Sequence, residues 1–237
     1  FPCHQLAHRG AGVIKVEAGR RGDLGRNLGA DPDLSAAGMG ISFLAQNAGK
    51  ASLTLNLKDP RGKDVLKTLV HGSDVLVENY RPGVMDRLGL GYDTLRQTNP
   101  NLIYCAISGF GQTGPWADRP AYDQIIQGVS GVMSITGDSQ SAPLRVGYPL
   151  ADTVGGLTAA MAICAALNAE EKGAFIDVSM LESVLATMGW VGSNHLVGGV
   201  APSAQGNENP TSAPSGAFQC ADGLINIAAN KDEQWTL

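Results

Sequence analysis

Short apolar runs alternate with amphipathic helical patterns through the first hundred residues, and this limits the possible folds more than any other feature of the chain. Gly12 to Glu17 reads as a strand. Ser52 to Leu57 alternates, with Leu53, Leu55 and Leu57 on one face, and reads as a second strand. Asp59-Pro60 then opens a helix, with Asp as N-cap and Pro at the first helical position. Val65, Leu66, Leu69 and Val70 form its apolar face, and Gly72 ends it. Asp74 to Glu78 is a third strand. Leu102 to Ser108 is a fourth, apolar throughout and expected to be buried on both faces. Short helices are expected over Pro82 to Leu88 and Tyr92 to Gln97. This rhythm calls for an α/β fold, a parallel sheet with helices on both faces.

The second half continues with expected helices over Tyr122 to Met133, Thr153 to Asn168 and Met180 to His195, and a strand over Phe175 to Val178. Gly198 to Pro214 is rich in Gly, Pro, Ser and Asn and reads as a linker. Phe218 to Ala229 looks like a hairpin around Asp222-Gly223. The expected organisation is a large domain over residues 1–197, a linker over 198–214, and the start of a smaller domain over 215–237. The chain opens at Phe1 without Met and stops at Leu237 without an ending signal, so it reads as a fragment cut at both ends.

With 237 residues, 43% of them hydrophobic, the chain can bury a substantial core. A net charge of −5 argues against a broad nucleic-acid footprint. A polyanionic ligand would need a local basic pocket. Cys3, Cys105, Cys164 and Cys220 form no C-x-x-C pair and read as reduced thiols of a cytoplasmic protein. The apolar run from Leu157 to Leu167 falls short of a membrane span, so no membrane partner is expected.

Gly109-Phe110-Gly111-Gln112-Thr113-Gly114 matches G-x-G-x-x-G and follows a strand. Pro115, Trp116 and Pro120 prevent a helix from starting there, so a Gly-rich active-site loop is the better reading. His4-Gln5-Leu6-Ala7-His8 has the spacing of a zinc-protease helix, but Gln stands where the Glu base is needed. No metal site is assigned, and no Gly-x-Ser-x-Gly or Cys/His pair supports hydrolase chemistry.

Two segments carry more. Glu78-Asn79-Tyr80-Arg81-Pro82-Gly83 leaves the carboxyl end of a strand, where parallel sheets bind ligands. Pro82 would start a helix whose N-terminus can hold anionic groups, with Arg87 one turn on. Asp152 stands in the first turn of the long apolar helix, after Pro149 and before Gly155 and Gly156. A carboxylate there is a helix cap or a nucleophile. The two glycines weaken a helix by ~1 kcal/mol each, which makes sense if a substrate passes close to the backbone.

These stretches together resemble the class III CoA-transferases, the CaiB/BaiF family, which includes formyl-CoA transferase, carnitine CoA-transferase, succinyl-CoA-dependent dicarboxylate transferases and α-methylacyl-CoA racemase. The resemblance runs through Gly12 to Glu17, Ser52 to Pro60, Asp74 to Gly91, Ser108 to Pro115, Pro120 to Gly137, Ala151 to Ser183 and Ala221 to Trp235. It implies a Rossmann-like large domain, an interlocked homodimer, and coenzyme A with an acyl-CoA and a small carboxylic acid as substrates.

The resemblance also assigns residues. Asp152 aligns with the aspartate that attacks the thioester and later carries CoA. Leu55, Asn56, Leu57 and Lys58 would border the adenine and phosphates. Asn79, Tyr80 and Arg81 would line the nucleotide or pantetheine path, and Arg87 would meet a phosphate. Pro120, Ala121, Tyr122 and Asp123 would follow the pantetheine arm. Racemases of the family carry His at the place of Tyr122. Tyr, with a pKa near ~10, is a poor proton shuttle at neutral pH, which favours transfer. An acyl-CoA isomerase and a non-catalytic CoA-binding or dimerisation module remain the alternatives. Three departures stand out. The family's first strand is missing before Phe1. Ala18 occupies a place that is often basic, with Arg20 and Arg21 close by. The C-terminal part of the second domain is absent.

Overall fold

The computed structural model describes residues 1–19 and 22–235, the Trp235 side chain excepted. Arg20 and Arg21, together with Thr236 and Leu237, lie outside the described residues. In chain order the first elements are α1 (Pro2–Ala7), β1 (Val13–Glu17), α2 (Pro32–Ala36), α3 (Ile41–Asn47), β2 (Lys50–Thr54), α4 (Pro60–His71) and β3 (Val75–Glu78). Next come α5 (Val84–Arg87), α6 (Tyr92–Thr98), β4 (Ile103–Ser108), α7 (Asp123–Val129), α8 (Leu150–Asn168) and β5 (Ala174–Ser179). The last are α9 (Met180–Thr187), α10 (Trp190–Leu196), β6 (Ser215–Gln219), β7 (Leu224–Ala228) and α11 (Asp232–Trp235). The chain forms two compact units, residues 1–121 with 152–183, and residues 122–151 with 184–237.

The first unit holds two parallel sheets, β1-β2 and β3-β4-β5. Every residue of β4 is buried, as a strand covered on both faces must be. Val16 of β1 and Leu76 of β3 pack on one cluster, centred on Leu66, Val70, Tyr104 and Ala106, so both sheets share a core. Among the described residues β1 pairs only with β2, and β3 only with β4, leaving each an open edge. Strand β2 ends three residues earlier than the alternation predicts. Its partner β1 stops at Glu17, opposite Thr54, and the Glu17 carbonyl takes a last bond from the Leu55 amide at 3.0 Å. Leu55 and Leu57 continue onto the core as an irregular segment.

A charged network braces β1. Glu17 is buried, yet it accepts two bonds of 2.7 Å from Arg26, one from Ser52 Oγ at 2.9 Å and one from the Asp23 amide at 2.9 Å. The Arg26 guanidinium also lies 3.8 Å from the Phe43 ring centre. These donors, Arg26 foremost, hold the Glu17 pKa down at about 2 against desolvation.

Helix α4 starts as its sequence requires, with Asp59 accepting from the Arg61 amide at 3.0 Å. Two expected helices differ. The one expected from Pro82 begins at Val84 and lasts four residues, because Gly83 takes a left-handed conformation (φ 74°). It is too short to present an anion-binding terminus. The helix expected from Met180 to His195 breaks into α9 and α10 at Gly189, whose φ of 51° and ψ of −120° leave helical space.

Helix α8 spans 19 residues and, with a mean hydropathy of 1.6, is long and apolar enough to cross a membrane by length and composition. The run counted from Leu157 underestimated it. One of its faces (Ala151, Gly155, Ala159 and Ile163) is nonetheless buried within the protein. In the second unit β6 and β7 form the antiparallel hairpin expected around Asp222-Gly223.

Candidate active site

Strands β3, β4 and β5 run in one direction, so their carboxyl ends gather on one side of the sheet. Asn79 follows β3 there, and its Nδ2 donates to the Ile107 carbonyl of β4 at 2.7 Å. Gly109 follows β4, and its carbonyl accepts from the Leu181 amide at 3.0 Å. The Gly-rich loop is pinned by the Gln112 amide, which donates to Asp177 of β5 at 2.8 Å. No helix follows it directly, as the prolines require.

Asp152 reaches this side through its helix. Helix α8 begins at Leu150, so Asp152 is its third residue and is not its cap. The carboxylate is exposed and lies in the first turn, where the helix dipole favours negative charge. Gly155, less than one turn later, packs against Met180, the residue that follows β5. A Cβ on Gly155 would fall 3.1 Å from Met180 Cγ. A Cβ on Gly156 would fall 3.0 Å from the Phe1 side chain. The two glycines therefore serve close packing of α8 onto its neighbours, where the sequence suggested passage of a substrate.

The start of α8 is held by residues that the local sequence does not reveal. Asp123 Oδ1 accepts from the Ala151 amide at 2.7 Å, and Oδ2 accepts from Gln127 Nε2 at 2.7 Å. Gln127 is fully buried, and its Oε1 accepts from the Val146 amide at 2.8 Å. Asp123 and Gln127 stand four residues apart, the spacing of one helix face, and that spacing was the available signal. Tyr122, just before α7, is 80% exposed.

The other sequence-derived residues fall on turns and loops. Asn56 and Lys58 are exposed after β2, alternating with half-buried Leu55 and Leu57. That turn is pressed against α4, where a Cβ on Gly62 would fall 2.2 Å from the Asn56 carbonyl oxygen. Tyr80 and Arg81 are exposed beyond β3. Arg87 folds back over Gly83, its Nη1 3.0 Å from where a Gly83 Cβ would stand. Pro120 is exposed and Ala121 half-buried at the end of the Gly-rich loop. Among the described residues, no three His, Cys, Asp or Glu side chains cluster to hold a metal ion.

Glu78 is the electrostatic outlier at these strand ends. It continues the Leu76 row on the core face of the sheet, and burial pushes its pKa up to about 7, helped by Asp86. The Tyr80 amide donates to it at 2.6 Å and the Tyr104 hydroxyl stands beside it. Burial likewise pushes the Cys105 thiol of β4 up to about 12, so it is an inert core thiol.

The chain is an α/β protein with parallel sheets, and the helix that carries Asp152 packs at the carboxyl end of β5, the side on which parallel sheets commonly bind ligands. The sequence model of CoA-transferase family III matches residues 1–237, and the chain belongs to that family. It is 40% identical over 236 residues to a succinate–glutarate CoA-transferase of Agrobacterium fabrum, covering 97% of this chain and 59% of that protein. It is 43% identical over 231 residues to an acetyl-CoA:oxalate CoA-transferase of Acetobacter aceti, covering 96% and 58%. The crystal structure of a CaiB/BaiF family protein from Brucella suis superposes with a TM-score of 0.87 at 35% identity, covering 98% of this chain and 62% of that one. The chain thus spans about three fifths of the length of these relatives.

Proposed function

We propose that the protein is a CoA-transferase that moves CoA between an acyl-CoA thioester and a small carboxylic acid, with Asp152 as the nucleophile. An Asp152 oxygen attacks the thioester carbonyl, the carbon–sulfur bond breaks, and CoA leaves as thiolate with a mixed anhydride on Asp152. The thiolate attacks the aspartyl carbonyl and releases the first acid as its carboxylate, leaving an aspartyl–CoA thioester. The acceptor carboxylate attacks that thioester, expels CoA thiolate and forms a second anhydride. The thiolate then attacks the acceptor's acyl carbon and frees Asp152. Each step exchanges one activated acyl bond for another, and the covalent route divides a difficult transfer into easier ones.

The observation that carries this reading is the exposed Asp152 carboxylate in the first turn of α8, docked through Gly155 onto the carboxyl end of β5, in a chain of this family. The relatives' names support carboxylate acceptors, among them oxalate and glutarate. In this reading Leu55 to Lys58, Asn79 to Arg81, Arg87 and Pro120 to Asp123 bind CoA, and the working unit is an interlocked homodimer.

The test is Asp152→Ala in the whole polypeptide, assayed with an acyl-CoA donor and a panel of carboxylic acids. Transfer should fall by about three orders of magnitude or more. Retained transfer would remove Asp152 as nucleophile. Deuterium exchange at the acyl α-carbon without an acceptor would instead favour an isomerase.

A further inference from the structure

Glu78 ends β3 opposite Ala106, and its side chain lies on the same sheet face as Leu76, Tyr104 and Ala106. An apolar residue would fit that face better, because even a half-buried carboxylate must find compensating donors. One donor is in place, the Tyr80 amide two residues along the chain, at 2.6 Å. The Tyr104 hydroxyl is a close neighbour, on a ring held by contacts with Tyr92 and Phe175 at 6.0 and 5.7 Å. Asp86 and the Cys105 thiol are further titratable neighbours, and neither supplies a positive charge. With Asn79 tied to Ile107, both residues at the strand end are fixed before the chain enters the exposed turn.

We propose that Glu78 is a positioning residue for the CoA-binding turn: its carboxylate, bonded to the Tyr80 amide beside the Tyr104 ring, sets the backbone path that presents Tyr80 and Arg81. The proposal rests on the reading of this turn as part of a CoA site. A carboxylate acceptor makes a stronger, more directional bond to an amide than a neutral one. The backbone bond at Tyr80 therefore resists the torsion that would swing the turn away from the strand end.

The experiment compares Glu78→Ala and Glu78→Gln in the whole polypeptide by two readouts. The first is hydrogen exchange at the Tyr80 amide without substrate. Glu78→Ala should speed exchange by about tenfold, and Glu78→Gln, which keeps an acceptor oxygen, should restore most of the protection. The second is steady-state transfer. Glu78→Ala should raise KM for acyl-CoA by about tenfold with a smaller change in kcat, and Glu78→Gln should recover most of that loss. Unchanged Tyr80 exchange in Glu78→Ala overturns the proposal whatever the activity. So does a fall in kcat with KM untouched. Should Glu78→Ala fail to fold, Glu78→Leu keeps an apolar side chain on the core face without an acceptor, and unaltered Tyr80 exchange and acyl-CoA KM in that variant overturn the proposal equally. Altered Tyr80 exchange and CoA affinity, together with full transfer by Asp152→Ala, would keep the role of Glu78 and sink the nucleophile assignment instead.

Discussion

Gly155 of α8 lies against Met180, with a space at its Cα that a methyl group would fill only by coming within 3.1 Å of Met180 Cγ. This contact seats the helix that carries Asp152 on the end of β5. The orientation of the carboxylate is thus a packing property of the first unit. Gly155→Val should destabilise the protein by about 1–3 kcal/mol through overpacking. It should also lower transfer by more than the loss of folded protein explains. Gly155→Ala combined with Met180→Ala should be more stable than the sum of the single changes, which a double-mutant cycle in urea would read.

Gly62 reverses an ordinary helix rule. In a helix Gly→Ala normally adds about 1 kcal/mol. At Gly62 the new Cβ would fall 2.2 Å from the Asn56 backbone oxygen, which has no flexible side chain to move aside. Gly62→Ala should therefore destabilise by about 1–3 kcal/mol in a denaturant titration. On the proposed placement of CoA against Leu55 to Lys58, displacing that segment should also weaken CoA binding.

The Glu17–Arg26 pair sets the acid side of the stability profile. Glu17 ordinarily titrates at 4.5 and is held at about 2 in the folded protein. Its stabilisation is complete above 4.5 and is lost as pH falls from 4.5 towards 2. Glu17→Ala leaves Arg26 without its carboxylate and should cost about 3–5 kcal/mol at pH 7. The same variant should show a flatter stability curve between pH 5 and 2.

Glu78 acts in the opposite sense. Its folded pKa of about 7 lies above the ordinary 4.5, so the folded protein binds a proton that the unfolded chain has released. Its contribution to stability therefore falls as pH rises from 4.5 through 7. Relative to the parent protein, Glu78→Gln should be more stable at pH 8 than at pH 5, by about 1–3 kcal/mol in thermal or urea unfolding. Equal differences at the two pH values would show that Glu78 titrates normally.

What the sequence made legible was local. Leu102 to Ser108 is apolar at every position until its last residue, and it is the strand buried on both faces. Asp59-Pro60 announces α4 because cap and helix start are neighbours in the chain. The start of α8 was misjudged by three residues, since the Ala151 amide is satisfied by Asp123, 28 residues earlier. The end of β2 was misjudged because it depends on where β1 stops. Gly155 and Gly156 were visible as costly in a helix, but only the neighbours they pack on explain them. At the candidate site, Asp152 and the Asn79–Arg81 turn could be picked out by residue type and position after a strand or before a helix. Glu78 could not, because its significance comes from lying on the core face beside Tyr104.

The most direct test of the central claim is to trap the covalent intermediate. The whole polypeptide would be incubated with acyl-CoAs, quenched and digested, and the peptide containing Asp152 analysed by mass spectrometry. The account predicts CoA joined to Asp152 as a thioester, with the first acid released and no adduct in Asp152→Ala. Steady transfer with an unmodified Asp152 peptide, or an adduct on another residue that survives in Asp152→Ala, would contradict it.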